Sequence, residues 1–92
     1  MVLGRPGPAL AIANPPSGAI YSIDPTLRAD FQALPLRATT ASRTTIAWSV
    51  DGRPVGTASS EESLAWPLRV GTHLVEARDA SGRRAEAAVV VR

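Results

Sequence analysis

Two residue types are missing from this chain of 92 residues. It has no cysteine, so no disulfide supports the fold and no thiolate can serve as nucleophile or metal ligand. That absence leaves the compartment open, because oxidising surroundings permit disulfides without requiring them. Lysine is also missing: all ten basic residues are arginine, and eight acidic residues bring the net charge to +2. Arginine titrates very high and little else buffers the alkaline range, so the isoelectric point near 10.4 overstates the basicity. So small a charge imbalance gives no electrostatic footprint for nucleic acid. No run approaches the roughly 20 apolar residues of a membrane span. The opening Met1-Val2-Leu3-Gly4-Arg5-Pro6 holds no apolar stretch of signal-peptide length. The fragment is therefore expected not to insert into a membrane directly: either the protein is cytosolic, or this is a piece of a longer protein.

The 45% of hydrophobic residues and 20% of charged ones suit a globular chain rather than a disordered one. Residues 1–8 read as a linker or an added start, since Gly4, Pro6, Gly7 and Pro8 deny the backbone a regular ladder. Residues 9–92 read as one domain, small enough to have little stability to spare. Short apolar runs are expected as strands at 9–13, 20–24, 32–38, 45–51, 64–66, 73–79 and 83–91, with a short return arm at 53–56. Asn14-Pro15-Pro16-Ser17-Gly18 breaks the first from the second, because proline cannot donate to a sheet. Residues 26–31 are irregular, with room for one helical turn. Pro35 and Pro54 point to edges or bulges. Residues 57–62 read as a polar crossing loop.

The clearest pattern is Thr45-Ile46-Ala47-Trp48-Ser49-Val50-Asp51, in which Ile46, Trp48 and Val50 alternate with smaller or polar residues. Asp51-Gly52 then signals a hairpin whose two turn residues need positive φ. Turn signals every 8–12 residues, with no convincing helix, predict an all-β, immunoglobulin-like β-sandwich of about seven to eight short antiparallel strands. Trp48 is expected between the sheets.

Chemistry is sparse. Catalytic, cofactor-binding and metal residues are all expected to be absent, and no cofactor is implied. His73, the single histidine, reads as a partly buried, hydrogen-bonded strand residue. Asp51 and Asp79 read as turn caps, and Glu61-Glu62 as a solvated loop pair. No calcium loop, phosphate-binding glycine loop or Gly-x-Ser-x-Gly occurs. Candidate contact residues are Trp66 and Tyr21, which could stack on a sugar if exposed. At 4%, aromatics are too few for a stacking platform to stand out. Arg78, Arg83 and Arg84 gather around one hairpin tip, where guanidinium forks suit carboxylates or phosphates.

Three stretches together carry a family resemblance. Trp48-Ser49-Val50-Asp51-Gly52-Arg53-Pro54-Val55-Gly56 is followed by Trp66-Pro67-Leu68. Then comes Gly71-Thr72-His73-Leu74-Val75-Glu76-Ala77-Arg78-Asp79-Ala80-Ser81-Gly82-Arg83. Their order and spacing resemble the C-terminal domain of bifunctional penicillin-binding proteins of the 1C type. The stretch from Ile12 to Asp24 looks like that family's start, so the likeness covers roughly residues 10–91. The resemblance implies a parent peptidoglycan synthase, both glycosyltransferase and transpeptidase, anchored in the inner membrane and facing the periplasm. It implies an accessory module whose partners are periplasmic cell-wall proteins or the parent's own transpeptidase domain. The alternative is a carbohydrate-binding module contacting peptidoglycan glycan strands. A transpeptidase site needs Ser-x-x-Lys and Lys-Thr-Gly, which a chain without lysine cannot supply.

Overall fold

Apolar side chains alternate along most of the chain, and the backbone follows them into eight strands. The computed structural model describes residues 10–28 and 31–92; the expected linker at 1–8 lies outside them. The strands are β1 (Ala11–Asn14), β2 (Ala19–Tyr21), β3 (Ala33–Thr39), β4 (Thr45–Val50), β5 (Arg53–Ser59), β6 (Leu64–Pro67), β7 (Gly71–Arg78) and β8 (Arg84–Val91). They form a three-stranded sheet, β1-β3-β6, and a five-stranded sheet, β2-β8-β7-β4-β5.

The two sheets bury their facing sides against each other. Leu34, Leu36 and Ala38 of β3 and Trp66 of β6 meet Ile46, Trp48 and Val50 of β4, Val75 and Ala77 of β7, and Val89 and Val91 of β8. The period of two in each strand puts every second residue inward. Trp48 is only 1% exposed, as its strand pattern predicts. With no disulfide, this apolar layer is the chief source of stability.

The first strand splits between the sheets. β1 pairs antiparallel with β3, and β2 then pairs parallel with β8. The all-antiparallel expectation is thus corrected at one pair. The crossing occurs at Pro15-Pro16-Ser17-Gly18, where two prolines lack the N–H that either ladder needs. The peptide bond from Asn14 to Pro15 is cis. Ser17 and Gly18 continue the crossing without orphaning β8: Ala88 N donates to Ser17 Oγ at 3.2 Å and Gly18 N donates to Ala88 O at 2.7 Å.

Pro35 lies on the central strand of its sheet, not on an edge strand. It is tolerated because the β1 ladder stops at Arg37, and Asn14 Nδ2 donates to Pro35 O at 2.7 Å beyond that point. A residue's N–H and C=O point to the same side of a strand, so the missing donor faces a place where no ladder bond is due. Gln32 leaves the strand as well. Its side chain accepts from Asp24 N and donates to the carbonyls of Asp24 and Leu27, pinning the β2–β3 connection.

One further correction concerns β5. It runs on through Thr57, Ala58 and Ser59, which pair with Ala47, Ile46 and Thr45, so this stretch is strand and not loop. Trp48 pairs with Gly56 and Ser49 with Pro54, which leaves Val55 as the extra residue of a bulge. Pro54 and the bulge sit on an exposed edge strand, as the sequence suggests.

Leu36→Ala should lower the unfolding free energy by about 2–5 kcal/mol, read by urea denaturation, because Leu36 is fully buried. Leu74→Ala, on the outer face, should change it by less than about 0.5 kcal/mol. Similar losses for both would contradict the placement of the core.

Candidate functional site

At Asp51-Gly52 the chain turns with φ of 54° and 81°. This left-handed pair matches the twist of a two-residue hairpin, and aspartate and glycine tolerate it best. The turn holds the Asp51 backbone next to β7: Asp51 N donates to Leu74 O at 2.9 Å. Its carboxylate therefore does more than cap a turn. Oδ1 accepts from Leu74 N at 2.8 Å, and Oδ2 lies 2.6 Å from His73 Nδ1.

The imidazole is engaged on both nitrogens. His73 Nε2 lies 2.9 Å from the Arg69 carbonyl oxygen. A carbonyl only accepts, so Nε2 carries a proton; an ionised carboxylate only accepts, so Nδ1 carries one too. The ring is held as an imidazolium. The Asp51 carboxylate raises the His73 pKa against the opposing effect of burial, and the Arg69 carbonyl adds to the rise. In turn the His73 hydrogen bond, and then that from Leu74 N, hold the Asp51 carboxyl below its usual range. The ring also meets the Trp66 indole edge-on, with centroids 5.1 Å apart. Hairpin, β7, the β6–β7 connection and the second sheet are thereby joined through one side chain.

Beside this joint lies a groove of about 670 Å³, lined by residues 53–55 of β5 and 65–67 of β6, together with Asp51, Arg69 and His73. β5 and β6 are edge strands of different sheets. They approach closely at Gly56, where a Cβ would come within 3.2–3.3 Å of the Leu64 methyls, so glycine permits the contact. Arg53 and Arg69 reach the groove from separate elements, and no carboxylate among the described residues pairs with either guanidinium. Among the described residues no cluster of three His, Asp or Glu side chains could hold a metal ion.

The expected contact residues fare differently. Trp66 is only 6% exposed and packs in the core. That corrects its candidacy as an open stacking face. Tyr21 is half-buried against the same core. Arg78, Arg83 and Arg84 are all exposed at one end of the β7–β8 hairpin, and Arg78 sits directly opposite Arg84. Arg84 is ion-paired with Glu76 at 3.2 Å. Asp79 caps the tip as expected: it accepts from Ser81 N, Ser81 Oγ and Arg83 N, and the Ser81 hydroxyl foremost lowers its pKa. Arg53 and Arg69 did not stand out in the sequence. Their one shared sign is a nearby proline on each edge, Pro54 and Pro67, which says nothing of proximity.

A family model described as the penicillin-binding protein C-terminus family matches residues 3–91. One solved structure, of fibronectin(III)-like modules of Clostridium thermocellum CbhA, aligns with a TM-score of 0.68 at 17% identity, over 90% of this chain and 95% of that one. That likeness speaks for the fold, an immunoglobulin-like sandwich. No protein with a curated description matches the chain.

The Asp51–His73 pair makes stability depend on pH. With its pKa raised, His73 stabilises the fold fully below its unfolded value of about 6.5, and this is lost as pH rises through the folded value. With its pKa lowered, Asp51 contributes above about 3.9, and this is lost as pH falls through the folded value. Chemical denaturation should show stability falling as pH rises above about 6.5, with the fall absent in His73→Asn. An identical slope in that variant would contradict the pairing.

Proposed function

Because the chain belongs to the penicillin-binding protein C-terminus family, we propose that it is the non-catalytic accessory module of a periplasmic, inner-membrane-anchored peptidoglycan synthase. In this reading the glycosyltransferase and transpeptidase reactions belong to the parent's other domains. The module positions the enzyme through contacts with cell-wall proteins or with the transpeptidase domain. The carrying observation is a family match that spans nearly the whole chain, residues 3–91.

The chemistry of the site supports the same reading. An aspartate–histidine pair is two-thirds of a nucleophile-activating triad, but such a base needs a free ring nitrogen facing the nucleophile. His73 Nε2 faces the Arg69 carbonyl instead, so the ring has no position from which to take a proton. The pair serves as a structural joint. Exposed sheet edges, by contrast, are surfaces that extended partners use. Glycan binding would need an open aromatic face, and the burial of Trp66 removes one of the two candidates.

Deleting residues 10–91 from the parent synthase should change the partners recovered after cross-linking and the enzyme's distribution along the envelope. Covalent labelling of the transpeptidase by a fluorescent penicillin should persist. Unchanged partners and distribution would contradict the proposal.

A further inference from the structure

We propose that the groove between β5 and β6 is a docking site for an extended acidic segment of a partner protein, whose carboxylates are received by Arg53 and Arg69. The proposal rests on the accessory-module reading and names the surface and the partner's chemistry.

Charge is the first argument. Arg43 pairs with Glu61 at 2.9 Å and Arg84 with Glu76 at 3.2 Å, whereas Arg53 and Arg69 line one groove without a carboxylate partner among the described residues. Asp51, the acid of the groove, is already occupied: one oxygen bonds His73 and the other Leu74 N. The charge left for a ligand is therefore positive. Two guanidinium forks are well matched to carboxylates, with which they form bidentate bonds.

Shape is the second. The groove lies between two strand edges, each unpaired on its outer side. An extended chain can lie along such a groove and place alternate side chains against its walls. Pro54, Val55 and Pro67 are exposed apolar surface along the groove, and Val70, next to Arg69, is 71% exposed. A segment alternating apolar and acidic residues would cover that surface and meet both arginines. The Arg78, Arg83 and Arg84 tip offers less, because Glu76 and Asp79 share it.

The test is a titration of the 15N-labelled 92-residue chain with a blocked peptide of alternating valine and glutamate. Saturable amide shifts should centre on Arg53, Val55, Ala65, Trp66 and residues 68–70. The exposed double substitution Arg53→Glu with Arg69→Glu should weaken binding about tenfold or more while leaving the thermal midpoint in place. The matched valine–lysine peptide should give no shifts. The proposal is overturned by a flat titration at millimolar peptide, by an equal response to the lysine peptide, or by shifts centred on residues 78–84. It is also overturned if inorganic tripolyphosphate reproduces the response, which would mark a generic anion site. The same double substitution in the parent separates the two levels. If deletion of the module changes the cross-linked partners and the double substitution does not, the groove fails and the accessory role stands. If neither changes them, both fail.

Discussion

The Asp51 carboxylate is bonded on both oxygens, and the groove end of the domain is organised around those two bonds. Through Leu74 N it fixes the β4–β5 hairpin to β7; through His73 Nδ1 it fixes the imidazole. The imidazole reaches on to the Arg69 carbonyl and rests against Trp66 of the other sheet. One ion pair thus sets how the hairpin, the β6–β7 connection and the two sheets meet at this end. His73 has only 12% of its side chain exposed, so its bonds work in a drier setting than most surface ion pairs, whose worth is small.

The groove follows from this arrangement. A sandwich of two open sheets leaves strand edges, and edges attract unwanted pairing unless they are short, bulged or interrupted by proline. Here β2 has three residues, and β5 carries Pro54 and the bulge at Val55. The devices that blunt the β5 edge also hold exposed apolar surface beside Arg53 and Arg69, which pair with no carboxylate among the described residues.

Much of the fold was legible in the sequence because its signals are local. Asp51-Gly52 declares a hairpin through its backbone requirement, and Ile46, Trp48 and Val50 declare an inward face through period two. What was hidden depends on register across distant strands. Pro35 looks like an edge residue until the end of β1 is seen to fall short of it. Residues 57–59 look like loop because their polarity suits an edge strand equally well. Asp51 looks like a turn cap because nothing local announces that His73 and Leu74 will lie opposite. Arg53 and Arg69 share a groove only once β5 and β6 are placed on neighbouring edges. The family, in contrast, was legible from the order of three stretches, none specific alone, and the match over residues 3–91 bears it out.

The central physical claim is that His73 is held as an imidazolium between Asp51 and the Arg69 carbonyl. Nitrogen NMR of the ring tests it directly at about pH 7, where an ordinary histidine is mostly neutral. The account predicts protons on both ring nitrogens, coupled across hydrogen bonds to the Asp51 carboxylate and the Arg69 carbonyl. A ring nitrogen without a proton at that pH would contradict it.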